Sequence, residues 1–428
     1  MEKLTEFVSR HSGDDVTRLV LDRAKWPEID MDLAVNCIES RRKLKGKVQE
    51  WYEETGLIFP KKLSAEQCSS SATGKYKMRL AEKILSGNES RRIADLTGGL
   101  GVDSWFFSKI SSEVLYCEML PELCEAARHN FTVLGAENIT VRNCAVSSET
   151  ASQDGNEDGR GAAMTPEMIL NSFNPNLVYM DPARRGEGGK KVFLIEDCTP
   201  DVLTLKDEIF RFCQHLLIKL SPMADITMVC ERLGNRCREV HVVASGGECK
   251  ELLIWMDKEW ADEYTIKAVE LHDGNVTELS FKQSEERNSH VSLADKKTVA
   301  DLNSYYLFEP GKALMKAGAF NLICNRFGNV KLGRSTHYYI ISEAEFRSDT
   351  LKGLGKVFKI IESYPLDKKS IRLASTSFPR AEVTARNIPM DTETLRKKLG
   401  VTSSDDTHIF GLKSDICGNL LLCTQRMF

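Results

Sequence analysis

The chain has 428 residues, and its content of 42% hydrophobic and 28% charged residues is typical of a soluble globular protein with more than one domain. It has no apolar run of about 18 residues that could span a bilayer, and its N-terminus lacks the pattern of a secretory signal. These features exclude a membrane-spanning protein and predict a cytoplasmic one. The 13 cysteines form no C-x-x-C pair, which favours reduced thiols over disulfides or a metal site. The net charge of −4 argues against a protein that is basic throughout, as many nucleic-acid binders are.

Residues 1–80 are expected to form a helical domain. Apolar residues recur at helical spacing in LTEFVSRH, in VTRLVLDRA and in MDLAVNCIESRRKLKGKVQEWYEE. The third segment carries a basic run at 41–47, which we interpret as a solvated helix face. The hydroxyl-rich residues 66–73 then have two open interpretations, because they could cap the next helix or line a ligand pocket.

Residues 81–260 are expected to form a Rossmann-like α/β domain with a seven-stranded sheet. Five short apolar runs alternate with helical segments and predict parallel strands with helical crossovers: RRIADL, VLYCE, NITVRN, NLVYMDP and HLLIKLSP. Two more strands around Gly246-Gly247 predict a closing antiparallel hairpin, so the sheet is mostly parallel. The polar stretch 147–163 predicts a mobile insertion between the third and fourth strands.

Residues 261–428 are expected to form an α+β domain. A hairpin is predicted around Asp273-Gly274 and another in the C-terminal stretch IFGLKSDICGNLLLCTQRM. Between residues 310 and 400 there are 17 Lys and Arg residues against 8 Asp and Glu residues. This local excess of positive charge is what a surface that binds nucleic acid would need.

A glycine-rich turn, D-L-T-G-G-L-G at 95–101, follows the first predicted strand and precedes a helix. Such a turn points backbone N–H groups at a nucleotide-like ligand. Gly99, Gly101 and Ser104 nearly fit the dinucleotide fingerprint, with Glu118 near the expected position of a ribose-binding acid. The acid Asp95 disfavours a pyrophosphate at this point and suits a cationic ligand such as S-adenosylmethionine.

These motifs resemble those of the class I S-adenosylmethionine-dependent methyltransferases over about residues 90–257. The turn is similar to their first motif, Glu118 to their ribose-binding acid and Asp181-Pro182 to their fourth motif at the active site. The resemblance implies S-adenosylmethionine as cofactor and no metal. It also implies these cofactor-binding residues: Asp95, Thr97, Gly98, Gly99, Gly101, Asp103, Glu118, Met119, Asn143, Ala145 and Asp181. The family often has an Asp for the adenine at the end of strand three, where this chain has Asn143-Cys144-Ala145.

The stretch D-P-A-R-R-G at 181–186 is the candidate acceptor site. Asp181 could hold an amino group or act as a base, Pro182 ends the strand, and Arg184 and Arg185 could bind a phosphate or a carboxylate. Methyltransferases that act on the amino groups of bases usually have an aromatic residue here, and this chain has none. The uracil-C5 enzymes need a cysteine after the fifth strand, where this chain has Ser221, so we do not expect that chemistry.

The whole layout resembles a group of bacterial methyltransferases whose C-terminal domain is described as THUMP-like. The resemblance implies RNA, either tRNA or rRNA, as the substrate. Candidate phosphate-binding residues are Arg372, Arg380, Arg386, Arg396, Lys397 and Lys398. We therefore predict an RNA methyltransferase. Two alternatives stay open: a methyltransferase for a protein or small molecule, and a non-catalytic RNA-binding protein with a vestigial cofactor site.

Overall fold

A computed structural model describes residues 2–149, 161–184 and 194–427 of the chain. The backbone divides into two compact units. Unit 1 comprises Met1–Val240 with Lys250–Glu263, and unit 2 comprises His241–Cys249 with Tyr264–Phe428. The division into domains 1–80, 81–260 and 261–428 stays a prediction.

Unit 1 begins with helices, as the spacing of its apolar residues predicts. The six helices are α1 (Glu2–Arg10), α2 (Val16–Leu21), α3 (Met31–Leu44), α4 (Gln49–Glu53), α5 (Lys62–Gln67) and α6 (Ser71–Ile84). Their apolar faces share a core with the helices of the sheet region. Trp51 packs edge-on against Trp105 with ring centroids 6.1 Å apart. The side-chain amide of Asn130 is hydrogen-bonded to both backbone groups of Ile58. These contacts attach the N-terminal helices to the sheet region.

The sheet of unit 1 has the expected parallel centre. Its strands are β1 (Arg92–Asp95), β2 (Glu113–Glu118), β3 (Ile139–Val146), β4 (Ala162–Met164), β5 (Leu177–Met180), β8 (His215–Leu220), β9 (Cys237–Ser245) and β10 (Glu248–Asp257). The order β10-β8-β5-β1-β2-β3-β4 is parallel except for the antiparallel pair β10 and β8. β9 lies beside β10, and residues 237–240 and 250–257 of this pair belong to unit 1. Two short strands, β6 (Ala183–Arg184) and β7 (Cys198–Thr199), form a separate antiparallel pair.

Helices connect these strands, so the expected α/β fold is confirmed. They are α7 (Val102–Ser108), α8 (Pro121–Val133), α9 (Pro166–Leu170), α10 (Val202–Phe212) and α11 (Ile226–Leu233). The strand count differs slightly from the predicted seven because β4 adds an edge strand that pairs with β3. The expected insertion at 147–163 therefore ends before Ala162. Its central residues, 150–160, lie outside the described part of the chain.

Unit 2 contains a hairpin and a second sheet. The hairpin joins β11 (Thr265–His272) to β12 (Asn275–Lys282) through Asp273 and Gly274, which both have positive φ. The second sheet has the strands β13 (Tyr306–Pro310), β14 (Val330–Gly333), β15 (Thr336–Ile341), β16 (Gly355–Pro365), β17 (Glu382–Arg386), β18 (Thr407–Ser414) and β19 (Gly418–Arg426). Their order is β14-β15-β13-β16-β19-β18-β17. The terminal hairpin β18–β19 forms where the sequence predicts it.

Seven helices accompany the strands of unit 2 and give it the expected α+β character. They are α12 (Gln283–Asn288), α13 (Lys296–Ala300), α14 (Lys312–Ala317), α15 (Leu322–Phe327), α16 (Glu343–Arg347), α17 (Lys368–Ser377) and α18 (Thr392–Leu399). The apolar residues of α17 and α18 pack with those of β17, β18 and β19. The remaining positions of these two helices leave basic side chains exposed.

Candidate functional site

The candidate site lies at the carboxyl ends of three neighbouring parallel strands. β1 pairs with β2 on one side and with β5 on the other, all in the same direction. β1 ends at Asp95, β2 ends at Glu118, and Asp181 directly follows β5. The sheet thus brings together three acids that are far apart in the sequence. Ligands of doubly wound sheets bind at this kind of edge.

The glycine turn needs its glycines for two different reasons. A Cβ atom on Gly98 would lie 2.1 Å from the ring of Tyr116, so no side chain fits there. Gly99 and Gly101 have φ of +56° and +92°, a region that disfavours residues with a Cβ. The hydroxyl of Tyr116 donates to the carbonyl oxygen of Gly99 at 2.5 Å. The buried ring therefore supports the turn from below.

The hydrogen bonds of Glu118 leave both of its carboxylate oxygens able to accept a further hydrogen bond. One carboxylate oxygen accepts the N–H of Gly99 at 2.9 Å, and the other accepts the N–H of Leu120 at 2.8 Å. Each oxygen retains a lone pair for a further donor. The side-chain amide of Asn143 donates to the backbone carbonyl oxygen of Glu118 at 2.9 Å, which fixes the backbone at the end of β2. This arrangement suits a pair of adjacent ligand hydroxyl groups.

Asp95 is buried beneath the turn. Its oxygens accept hydrogen bonds from the N–H of Thr97 at 3.0 Å and from the hydroxyl of Ser104 at 2.6 Å. Burial raises the pKa of Asp95 to about 7, with further contributions from the charges of Asp103 and Asp181. The carboxyl group therefore links the turn to α7 and changes its charge near neutral pH.

Asp181 lies at the edge of the site and forms an ion pair with Lys219 on β8. The distance from Lys219 Nζ to Asp181 Oδ2 is 2.5 Å. The Asp181 side chain is 37% exposed, whereas that of Lys219 is 14% exposed. The backbone N–H of Asp181 donates to the Thr97 hydroxyl at 2.6 Å. Burial lowers the pKa of Lys219, but the charges of Asp181, Glu251 and Asp103 outweigh it and raise the pKa, so the group stays an ammonium.

A second lysine, Lys77 on α6, is fully buried among acids. Its Nζ donates to both carboxylate oxygens of Glu251 at 2.9 Å and to the Ser69 hydroxyl at 2.8 Å. It also lies 3.2 Å from Asp103 Oδ1. The other oxygen of Asp103 accepts hydrogen bonds from Ser69 at 2.9 Å and from the Tyr179 hydroxyl at 2.8 Å. We call Lys77, Lys219, Asp103, Asp181 and Glu251 the charge cluster.

The structure brings together most of the residues predicted for the cofactor. The turn residues, Glu118 and Asp181 share one edge, and the Met119 carbonyl oxygen accepts the N–H of Gly161 beside it. Ala145 lies on β3 opposite Ala163 of β4. Asp103 is directed into the charge cluster. The assignment of these residues to a cofactor stays a prediction.

The candidate acceptor loop is described only in part. Pro182 is buried, and the backbone of Arg184 pairs with Cys198 between β6 and β7. Arg185 lies outside the described residues. In the hydroxyl-rich stretch 66–73, Ser70 caps α6 with Thr73, and Ser69 reaches Asp103. The capping interpretation is therefore confirmed for Ser70.

Three members of the charge cluster were not candidates in the sequence: Lys77, Lys219 and Glu251. The available signal was a charged residue within an apolar strand run, as in HLLIKL and KELLIWM. Within the described residues, no group of three or more His, Cys, Asp or Glu side chains is placed to hold a metal ion. No helix in this part of the chain is long and apolar enough to cross a membrane.

Comparisons with known proteins give matches in both sequence and structure. A family described as a ferredoxin-like domain matches residues 306–346, and one described as THUMP domain-like matches residues 355–425. No curated protein matches the chain. A protein from Porphyromonas gingivalis W83, described as a "putative methyltransferase", is 27% identical with a TM-score of 0.81. That match covers 100% of this chain and 98% of the other.

Two further solved structures match a smaller part of the chain. An rRNA methylase from Streptococcus thermophilus is 14% identical with a TM-score of 0.28, and the match covers 42% of this chain and 95% of the other. A "putative methyltransferase" from Streptococcus mutans in complex with SAH is 13% identical with a TM-score of 0.27, and covers 42% and 96%. The full-length similarity to the P. gingivalis protein, together with the THUMP-like match, confirms the predicted resemblance to methyltransferases with a THUMP-like C-terminal domain.

Proposed function

We propose that the chain is an S-adenosylmethionine-dependent methyltransferase that methylates RNA, either tRNA or rRNA. The observation that carries this proposal is the meeting of the glycine turn, Glu118 and Asp181 at the ends of neighbouring parallel strands. Thr97 joins the two halves of the site, because its hydroxyl accepts the N–H of Asp181 while its own N–H donates to Asp95.

The cofactor is S-adenosylmethionine, and the residues present fit it. Glu118 offers two carboxylate oxygens with remaining lone pairs, as the vicinal hydroxyls of a ribose require. Asp95 is buried beneath the turn, where its ionised carboxylate favours a cation over a pyrophosphate. When bound, the cofactor supplies a methyl group activated by a positively charged sulfonium.

Asp181 is the residue that would hold the acceptor group. Lys219 engages one of its carboxylate oxygens, and the half-exposed side chain leaves the other for a donor on the substrate. The buried Pro182 fixes the backbone that follows. Arg184 and Arg185 are the residues proposed to bind a phosphate of the acceptor.

The proposal that RNA is the acceptor rests on basic side chains of unit 2. Lys368, Lys369 and Arg372 lie together on the exposed face of α17, inside the region that matches the THUMP-like family. The proposed contacts Arg372, Arg380, Arg386, Lys397 and Lys398 are all exposed. Arg396 is half-buried and forms an ion pair with Glu382 at 2.8 Å, so it contributes less positive charge to this surface. Cations on one surface neutralise phosphates, which supplies most of the affinity for nucleic acid.

The test of catalysis uses a cofactor with a labelled methyl group. The protein is incubated with RNA, DNA, protein and small-molecule fractions from cells that lack this gene. We expect label in RNA, its loss in Asp181→Ala, and its retention in the surface variant Asp207→Ala. Label in the protein or small-molecule fraction would indicate a methyltransferase for that class of acceptor, and label in DNA alone would likewise refute RNA as the substrate. No label in any fraction, with cofactor binding intact, would favour the vestigial site.

The test of RNA binding uses a double variant on α17, Lys368→Glu with Arg372→Glu. We expect weaker RNA binding and a shallower dependence of log Kd on log salt concentration, since fewer phosphates are neutralised. Cofactor affinity should not change, because α17 lies in unit 2 and the glycine turn in unit 1. Unchanged RNA binding would remove α17 from the proposed interface.

A further inference from the structure

We propose that the acceptor atom is a hydroxyl oxygen, which in RNA is the ribose 2′-hydroxyl, and that Lys219 stabilises the negative charge that develops on it. This inference rests on the proposed function of RNA methylation and names the chemical group that is methylated. It follows from Lys219, which pairs with Asp181 in the charge cluster, rather than from the cofactor site.

The carboxylates of the charge cluster outnumber its two lysines, but Lys219 places an ammonium where the acceptor would be held. Lys219 touches Asp181 at 2.5 Å, and its side chain is partly exposed at the same edge of the sheet. Lys77 is fully buried behind it, held by Glu251 and Asp103. The carboxylates keep Lys219 protonated, so its ammonium is a fixed feature of the site.

This charge discriminates between two kinds of nucleophile. A neutral amine nitrogen becomes positively charged as it attacks the methyl group, and a neighbouring ammonium opposes that change. A hydroxyl loses its proton and attacks with negative charge on oxygen, which the same ammonium stabilises. The ammonium of Lys219, held beside Asp181, therefore suits oxygen and disfavours nitrogen.

Carbon acceptors and stacked bases fit the site less well. Methylation at carbon 5 of a pyrimidine needs a thiolate nucleophile, and Ser221 stands at the expected position. The charge of Lys219 acts on Cys68, but burial raises the pKa of Cys68 and keeps it a thiol. The residue after Pro182 is the exposed Ala183, which cannot stack on a flipped base. A ribose hydroxyl needs neither a thiolate nor a stacking ring.

The reaction balances with groups that the proposal names. The acceptor oxygen forms a bond to the methyl carbon while the bond from carbon to sulfur breaks, and the electron pair stays on sulfur as a neutral thioether. The hydroxyl proton passes to the Asp181 carboxylate and from there to water. Lys219 keeps its protons and lies beside the oxygen while that oxygen carries negative charge. RNA carries a 2′-hydroxyl at every nucleotide, and DNA carries none.

The first experiment identifies the product. RNA from cells that lack this gene is methylated with labelled S-adenosylmethionine and then hydrolysed completely with alkali. A methylated 2′-oxygen cannot attack the adjacent phosphate, so we expect the label in alkali-resistant dinucleotides. Label in mononucleotides would show base methylation, which would overturn this inference and leave the proposed function intact. An absence of label from RNA would overturn both.

The second experiment tests Lys219 itself. Lys219→Met removes the charge, and Lys219→Arg keeps it, with Lys83→Met on α6 as the matched control because Lys83 pairs with Glu239 at the surface. We expect Lys219→Met to lower kcat about 10²–10³-fold, Lys219→Arg to recover part of that loss, and Lys83→Met to change nothing. Calorimetry should show unchanged cofactor affinity in all three variants.

The second experiment also separates a catalytic role of Lys219 from a structural one. If Lys219→Met binds the cofactor normally and retains kcat within about threefold, Lys219 does not act on the acceptor. A loss of cofactor affinity as large as the loss of kcat would assign Lys219 to the fold instead and overturn its proposed role. If Lys219→Met does not fold, Lys219→Gln takes its place, because it removes the charge and keeps a hydrogen-bond donor for Asp181; the same loss of kcat is expected, and an unchanged kcat would overturn the role of Lys219.

Discussion

Replacing Lys77 with methionine removes a cation that is fully buried and contacts two carboxylates. Lys77 has no exposed surface, and the Glu251 side chain is only 3% exposed. The variant leaves Glu251 and Asp103 buried without this partner, and breaking such a pair costs about 3–5 kcal/mol of unfolding free energy. Lys83→Met on the same helix breaks a pair in which the lysine is 49% exposed, and should cost at most about 1 kcal/mol.

The assay is guanidinium unfolding followed by tryptophan fluorescence. The signal reports unit 1 alone, because all five tryptophans lie there: Trp26, Trp51, Trp105, Trp255 and Trp260. The double variant Lys77→Met with Glu251→Leu should recover about half of the loss or more, because it removes the unpaired carboxylate as well. If Lys77→Met and Lys83→Met lose the same stability, the charge cluster does not have the energetic role that its burial implies.

Three further predictions concern the glycine turn and the two acids beside it, Glu118 and Asp95. Glu118→Ala should weaken cofactor binding by about 1–3 kcal/mol, because the ribose hydroxyls lose their acceptors; equal calorimetric affinity would remove Glu118 from the site. Gly98→Ala should cost about 1–3 kcal/mol or more of stability because its Cβ overlaps the Tyr116 ring. Gly99→Ala should cost about 1–2 kcal/mol for its positive φ alone, because its Cβ would meet only the Thr97 carbonyl oxygen, in ordinary contact at 3.8 Å. Because burial raises the pKa of Asp95 to about 7, protonation below that value should weaken binding of a cationic cofactor by at most about tenfold per pH unit. Affinity should level off above pH 7, and Asp95→Asn should abolish the dependence in a titration from pH 5.5 to 8.5.

The cofactor side of the site was predictable because its signals are local. An apolar run that ends in Asp95 or Glu118 identifies both the strand and the end of the strand at which a ligand binds. The glycines of the turn follow from the same local pattern, although only the structure shows that Tyr116 excludes a side chain at Gly98. The parallel direction of the central strands then follows from the alternation of strands and helices.

The charge cluster was not predictable because its contacts are distant in sequence. Lys77 and Glu251 are 174 residues apart, and neither segment identifies the other as its partner. Their burial follows from how α6 packs near the end of the sheet, which no single segment determines. The strand β4 was also missed, because its three residues adjoin a long polar stretch and gain their hydrogen bonds only from β3.

The place of Glu251 near the end of unit 1 has a consequence for synthesis on the ribosome. Lys77 leaves the exit tunnel long before its partner does, because 174 residues separate them. At about 5–20 residues per second, this interval lasts about 9–35 s. Until β10 arrives, α6 carries a lysine that is costly to bury. The sheet of unit 1 and the charge cluster are therefore completed together, late in translation. A nascent chain that stops before residue 251 lacks both the complete sheet and the complete charge cluster.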